Sequence, residues 1–225
     1  MVPPQPLWGT VHPDTQAILL LCGTFAKGSG PDAKPLTLAE YNALASWLGR
    51  HGRRPASLLS TAEEPFPPEE PGLPAVERVR RLLSRGFQMA AAVEGWQRLG
   101  LWVVGRGEEH YPERLRRHLR SAAPPVLFGA GDIARLNRGG LAIVGSRDIE
   151  EEGLSFTSRV AERCAAEDIQ VISGGARGVD RAALTAALEA GGGAVVVPAD
   201  RLDRTATSRC QGAASRRQAH ACHSF

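Results

Sequence analysis

The chain has 225 residues, of which 43% are hydrophobic and 23% are charged, and its formal net charge is +3 at pH 7. These values are typical of a globular protein, which at this length forms one large or two small domains around a substantial core. The charge is too small to indicate a nucleic-acid partner by itself. All basic residues except Lys27 and Lys34 are arginine. A GC-rich coding bias explains this most simply, although arginine also gives a phosphate site a bidentate donor.

Cysteine spacing and a short apolar run indicate the cellular compartment. The four cysteines show neither a C-x-x-C pair nor a regular framework, which is typical of a reducing environment. The apolar run at Ile18–Cys22 is too short to cross a membrane, and no basic leader precedes a signal-type core. We therefore predict a cytoplasmic protein without membrane association.

Helical patterns dominate the first part of the chain. One helix is predicted up to Cys22, with Asp14 or Thr15 as its cap, and another begins at the capping box Thr37-x-x-Glu40. The proline-rich stretch Glu63–Pro74 predicts a linker, so residues 1–74 are expected to form a helical region that ends in this linker. The side chains predicted to be buried by the second helix are Leu38, Tyr41, Leu44, Ala45 and Leu48.

Residues 75–100 predict a helical pair that leads into the rest of the chain. Its helices are expected at Val76–Leu83 and Phe87–Leu99, and the first has a strongly basic outer face. Such a pair can be a small nucleic-acid-binding module, but a solvated helix pair more commonly gives the same pattern. Both interpretations stay open.

From Leu101 onward, short apolar strands alternate with helices. Continuous apolar strands in this arrangement are typical of a parallel sheet covered on both faces. We therefore predict an α/β fold, with a Rossmann-like parallel sheet over residues 101–207, helices on both faces, and a small helical N-terminal domain before it. Strands are predicted at residues 101–104, 126–128, 141–144, 170–172 and 194–197, and helices at 113–120, 154–167 and 179–190.

Two glycine-containing turns follow successive strands of this predicted sheet. In a parallel sheet both turns lie at the carboxyl edge, where ligands bind, and each opens a helix whose N-terminus attracts anions. The arginine in each turn is suited to grip a phosphate. A plain strand-to-helix turn with a structural salt bridge is the alternative for the first turn. The candidate phosphate-binding residues are Gly145, Ser146, Arg147, Gly174, Gly175, Arg177 and Gly178, with Asp180 in a supporting role.

The surroundings of the two turns favour binding over catalysis. Neither turn is a Walker A loop or a G-x-G-x-x-G motif, which disfavours a nucleoside triphosphatase and a dinucleotide dehydrogenase. No histidine lies between His118 and His220, so no catalytic triad is placed near the turns. The acidic residues Asp148 and Glu150–Glu152 suit a helix N-terminus but compete with an anionic ligand near Arg147.

The order of these motifs resembles the DNA-processing protein A (DprA/Smf) family. The Gly-Ser-Arg turn and the later segment SGGARGVD carry the resemblance, together with Tyr111–Leu115 and Pro124–Asp132, over about residues 75–209. The resemblance implies an extended Rossmann fold that binds single-stranded DNA through the residues of the two turns, without catalysis. It also implies a homodimer and delivery of the strand to a RecA-type recombinase in natural transformation.

The end of the chain departs from the family pattern. Residues 208–225 show neither helical nor strand periodicity, which predicts an irregular tail and a sheet that stops early, through a truncation or a frameshift after about residue 207. Cys210, His220, Cys222 and His223 match no familiar zinc spacing, so neither a metal nor a cofactor is predicted. Two alternatives to DNA binding stay open, a Rossmann-type pocket that binds or hydrolyses a small nucleotide and a truncated fragment without function.

Overall fold

The computed structural model of the protein describes residues 11–25, 34–60, 71–199, 202 and 219–224. The helices and strands predicted above within these ranges are present, with ends that differ by a few residues. The α-helices are α1 (Pro13–Cys22), α2 (Leu38–Arg50), α3 (Val76–Leu83), α4 (Gly86–Arg98), α5 (Glu113–Leu119), α6 (Arg135–Arg138), α7 (Glu151–Ala166) and α8 (Val179–Glu189). The strands are β1 (Leu101–Gly105), β2 (Val126–Ala130), β3 (Leu141–Ala142), β4 (Val171–Ser173), β5 (Ala194–Val196) and β6 (Ala219–Ser224).

The described strands form one mixed sheet in the order β1-β2-β6-β5-β4-β3. The four strands β3 to β6 are parallel, whereas β2 is antiparallel to both β1 and β6. The predicted α/β class is confirmed, and the predicted parallel sheet is one part of this mixed sheet. Hydrophobic periodicity marks where strands lie, but it does not carry their relative direction, which depends on the path of each connection.

Helices cover both faces of the sheet, as predicted. One face of β1 and β2 packs against α1–α4, and the opposite face, through Trp102 and Leu127, packs against α5 and α6. Ala130 pairs with Ala221, and Ala221 pairs with Val196, so these positions share a face. Because Ala130 packs with the N-terminal helices and Val196 with α7 and α8, those six helices lie on one face and α5 and α6 on the other.

The N-terminal helices share a core with the sheet. Ile18 of α1 and Leu44 of α2 are fully buried in the same cluster as Leu101 of β1. The backbone N–H of Gly105 also donates to the Thr15 hydroxyl at 2.8 Å, which ties α1 to the end of β1. The predicted helical region is therefore present but has no separate core. Most side chains of α1 are buried, and a helix buried on most sides needs partners all around it.

The helix α2 begins at the predicted capping box. The Glu40 N–H donates to Thr37 Oγ1 at 3.3 Å, and the Thr37 N–H donates to Glu40 Oε2 at 2.8 Å. The prediction that Leu38 is buried is wrong, since this residue lies at the first position of the helix and is 36% exposed. The buried face of α2 is formed by Tyr41, Leu44, Trp47 and Leu48.

The start of α1 differs from the sequence prediction. His12 caps the helix, because its Nδ1 accepts a hydrogen bond from the Asp14 N–H at 3.2 Å. Asp14 is itself buried, where its carboxylate accepts the N–H of Ala56 at 2.8 Å and pairs with Arg54 at 2.6 Å. Asp14 therefore links α1 to the 3₁₀ turn that contains Ala56, and it does not cap α1. Most of the predicted linker Glu63–Pro74 lies outside the described residues.

Residues 219–224 form a central strand of the sheet, between β2 and β5. The prediction of an irregular tail is therefore wrong for these six residues. A strand with a neighbour on each side is stabilised by two hydrogen-bonded ladders, so it forms without a periodic pattern of its own. The sheet consequently continues past β5 through β6 to β2 and β1, and among the described strands its two edges are β1 and β3. Residues 208–218 lie outside the described residues.

Candidate phosphate-binding turns

The two predicted turns meet at one edge of the sheet. The first turn, residues 145–147, follows β3, and the second, residues 174–178, follows β4, its parallel neighbour. The two turns, called the paired turns below, therefore both lie at the carboxyl ends of their strands. A hydrogen bond of 3.1 Å from the Val179 N–H to the Ser146 carbonyl joins them directly. The segments that carry the candidate residues are therefore in direct contact.

Gly178 permits this close contact between the turns. Its φ is +81°, in the left-handed region that favours glycine. A Cβ at this position would overlap the carbonyl oxygen of Ser146 and would lie 2.8 Å from that of Arg147. Any other residue here would therefore push the first turn away. Gly175 is buried and has a φ of +75°, so the second turn requires glycine at two positions.

Gly145 and Gly174 leave room for the first residues of α8. A Cβ at Gly145 would lie 2.7 Å from Val179 Cγ2, and one at Gly174 would lie 2.9 Å from Asp180 Oδ2. Asp180 is only 7% exposed, and its carboxylate accepts a long hydrogen bond of 3.4 Å from the Ala176 N–H. The Asp180 carboxylate thus contacts the backbone of the second turn, at a helix N-terminus where negative charge is favourable.

Both candidate arginines lie on the surface. The side chain of Arg177 is 65% exposed, and its Nη2 lies 2.7 Å from Asp148 Oδ1, on a carboxylate that is 82% exposed. Arg147 is also exposed, and none of the described residues forms a hydrogen bond or a salt bridge with its guanidinium group. The guanidinium group of Arg147 is therefore accessible to an anionic ligand. That of Arg177 must first separate from the Asp148 carboxylate.

The first turn positions Asp148, whose carboxylate pairs with Arg177. The Ser146 hydroxyl donates to the Asp148 carbonyl at 2.6 Å and accepts from the Asp148 N–H at 3.1 Å. This local bonding fixes the backbone of Asp148 beside the second turn. The two flanking segments 145–152 and 174–181 together contain three arginines and five carboxylates. An anion would therefore be held here by specific arginine and N–H contacts and not by net charge.

A cavity away from the paired turns is almost entirely apolar. A cavity of about 220 Å³ lies between α1, α2 and β2, and the only polar side chain that lines it is Thr37, beside the thiol of Cys22. Burial raises the pKa of the Cys22 thiol to about 12, so this group is protonated and unreactive at neutral pH. Within the same ranges, no group of three or more histidine, cysteine or acidic residues is placed to hold a metal ion. No described helix combines the length and the apolar character that a bilayer crossing requires.

The fold and the site define a Rossmann-like α/β protein with two glycine turns joined at the carboxyl edge of its sheet. A family model described as DNA recombination-mediator protein A matches residues 102–222, which is more than half of the 225 residues. The chain therefore belongs to the DNA recombination-mediator protein A family. The match confirms the DprA resemblance found in the sequence, and it includes both turns.

Two solved structures are similar to the chain. DNA processing protein A from Streptococcus pneumoniae is 22% identical, with a TM-score of 0.58, over 84% of this chain and 63% of that one. DNA processing protein A from Helicobacter pylori, described with a unique single-stranded DNA binding mode, is 20% identical, with a TM-score of 0.43, over 56% of this chain and 55% of that one. The chain thus spans less than two thirds of the length of either structure, and the pneumococcal similarity shows a shared fold. A search of curated proteins gave no match.

Proposed function

We propose that the protein binds single-stranded DNA at the paired turns and catalyses no reaction there. The observation that carries this proposal is the junction of two arginine-bearing turns, joined by the Val179–Ser146 hydrogen bond at one sheet edge. The N-termini of α7 and α8 add the positive ends of two helix dipoles, which favour phosphate. Membership of a DNA recombination-mediator family supports DNA as the ligand, and the DprA resemblance implies a single strand.

Each residue of the paired turns has a distinct role in this proposal. Arg147 grips a phosphate directly, since its guanidinium group is exposed and offers two parallel donors. Arg177 binds the next phosphate after it exchanges Asp148 for the ligand. The glycines let the two turns and the start of α8 pack closely, Ser146 offers its hydroxyl, and Asp180 supports the second turn from behind.

Replacement of either arginine tests the proposal. We expect Arg147→Ala and Arg177→Ala each to weaken the binding of a single strand of about 20 nucleotides roughly tenfold, because each loses a charge-assisted contact of about 1–2 kcal/mol. The salt dependence of binding should also flatten. Fluorescence anisotropy over a series of salt concentrations measures both effects. Arg159→Ala on the exposed surface of α7 is the control, and unchanged affinity in both turn variants would refute the proposal.

The same assay separates the two alternatives. A small-nucleotide pocket is favoured by the carboxylate-rich flanks of the turns, and it predicts saturation by a mononucleotide with no gain from a strand of about ten nucleotides. Hydrolysis of that nucleotide would require a carboxylate such as Glu150 or Asp180. A fragment without function predicts no ligand binding and a broad, non-cooperative thermal transition.

We further propose that the protein acts in the cytoplasm as a homodimer that passes the strand to a RecA-type recombinase in natural transformation, as the DprA resemblance implies. The position of β3 at an edge of the described sheet supports self-association, because Leu141 in this strand is 42% exposed and Val144 just after it is 74% exposed. Sedimentation of the protein alone measures dimer formation. Co-sedimentation with a recombinase, with and without a DNA strand, measures the second interaction.

A further inference from the structure

Positive charge is concentrated away from the paired turns. Residues 113–138, which include α5, β2 and α6, contain six arginines and two carboxylates. The flanks of the paired turns instead contain five carboxylates and three arginines. Because the summed field of a protein steers a charged ligand, a DNA strand is drawn to residues 113–138 more strongly than to the turns. The turns alone therefore do not explain how a long polyanion is held.

Three arginines of this segment are exposed and have no carboxylate partner among the described residues. These are Arg114 and Arg117 of α5 and Arg120, the residue that caps its C-terminus, called the α5 arginines below. By contrast, the exposed Arg98 and Arg163 are each neutralised by a carboxylate one turn away on the same helix, Glu94 and Glu167. The α5 arginines thus keep their full charge for an external anion.

The helix that carries the α5 arginines is fixed to the rest of the molecule. The Arg116 guanidinium group lies 5.6 Å from the Tyr111 ring centroid and donates to the Glu108 carbonyl at 2.9 Å. The N–H of Arg114 donates to Asn137 Oδ1 of α6 at 3.2 Å. A surface held in this way presents its charges in a fixed arrangement, which reduces the entropy lost on binding.

The spacing of the α5 arginines suits a phosphate backbone. Arg114 and Arg117 are three residues apart on α5, so they lie on the same side of the helix and about 4.5 Å apart along its axis. Successive phosphates of a stacked strand are separated by about 3.4 Å along theirs. Arg114 and Arg117 therefore face neighbouring phosphates, and Arg120 adds a third exposed charge just beyond the helix. Glu113–Ala122 contains no Phe, Tyr or Trp, which favours contact with phosphates over stacking with bases.

We propose that the α5 arginines form a second nucleic-acid contact, on the sheet face opposite α7 and α8, that binds the phosphate backbone of a single strand beyond the paired turns. This proposal rests on the proposed function, because the strand it holds is the one that the turns bind. The contact is independent of base sequence and depends on strand length. The α5 arginines supply most of the salt dependence of binding, whereas the paired turns bind individual phosphates in a defined position.

The test compares two triple variants that remove equal charge. In the first, Arg114, Arg117 and Arg120 are replaced by glutamine, and in the second, Arg98, Arg159 and Arg163 are replaced in the same way. Binding is measured by anisotropy with thymidine strands of about 5 and 30 nucleotides. The α5 triple variant should lose about tenfold or more in affinity for the long strand and little for the short one. The slope of its affinity against salt should fall by about 2, since each lost phosphate contact contributes about 0.7.

The outcomes distinguish this proposal from the proposed function. Equal losses in the two triple variants, or no loss in the α5 variant, overturn the second contact, and an acidic protein then becomes the better partner for this surface. If the α5 variant loses long-strand binding while Arg147→Ala and Arg177→Ala leave both strands bound, the turn site fails and the α5 contact stands. If the wild-type protein binds neither strand, both proposals fail.

Discussion

At the scale of single residues, the site combines one open arginine with one that is occupied. Arg177 faces Asp148 across 2.7 Å, and both side chains are largely exposed. An exposed pair of this kind contributes only about 0–1 kcal/mol, because water screens both charges. A phosphate with its larger charge can therefore replace the carboxylate. Under the proposed function, Asp148 therefore competes with the bound anion for Arg177.

Removal of this competitor should strengthen binding. We expect Asp148→Asn to raise the affinity for a single DNA strand about two- to fivefold at low salt, because Arg177 no longer gives up an ion pair. The amide keeps the size of the side chain, so the backbone bonds to Ser146 persist. Glu162→Gln, on the exposed face of α7, is the matched control for the change in net charge. Equal affinities for the two variants would show that Asp148 does not compete.

At the scale of elements, the contact between α2 and α3 depends on one carboxylate. Glu40 completes the capping box of α2 and pairs with Arg78 of α3, Nη1 to Oε1 at 2.5 Å. The same guanidinium group donates to the carbonyls of Lys34 and Pro35. The hydrogen bond from Arg78 is the main reason that the pKa of Glu40 falls from 4.5 to about 2. One residue therefore fixes both the start of α2 and its contact with α3.

This arrangement predicts a pH-dependent contribution to stability. Because the folded-state pKa lies below the unfolded value, the Glu40 carboxylate stabilises the fold above about pH 4.5, and this effect is lost as the pH falls toward 2. We expect Glu40→Gln to lower the free energy of unfolding by about 1–2 kcal/mol at pH 7 and by much less near pH 2. Urea denaturation at several pH values measures this. Glu94→Gln, which breaks an exposed pair with Arg98, should cost less than about 0.5 kcal/mol.

At the scale of the whole molecule, β6 joins the two parts of the sheet. Ala221 pairs with Ala130 of the antiparallel part and with Val196 of the parallel part. No other described strand links β2 to β5. The paired turns lie at the ends of β3 and β4, on the other side of β5 from β6. The strands that carry the turns are therefore connected to β1 and β2 through β6. The final residues thus contribute to the fold although their sequence carries no strand pattern.

Deletion of this strand tests its role. We expect removal of residues 219–225 to lower the free energy of unfolding by about 3 kcal/mol or more, because both ladders lose their hydrogen bonds. Removal of Phe225 alone is the control and should have little effect. Thermal unfolding measures stability, and amide exchange should show faster exchange in both β2 and β5. A stable truncated protein with unchanged exchange would exclude β6 from the sheet.

The sequence by itself determined the positions of the local elements and located the two glycine-containing turns. The capping box at Thr37, the apolar runs of the strands and the glycines of the two turns are local signals, because each acts over a few residues. They were sufficient to predict the helices, the α/β class and the candidate residues. The family resemblance also followed from the order of these motifs and is confirmed by the match over residues 102–222.

Only the tertiary structure decided how these elements meet. The pairing of Arg177 with Asp148, the place of β6 between β2 and β5, and the shared core of α1 and β1 all join residues that are distant in the chain. Such contacts depend on strand direction and on burial from several sides, which a local pattern does not carry. The sequence pattern predicted whether each segment is a helix, a strand or a turn. The packing of these segments decided which charges face each other at the paired turns.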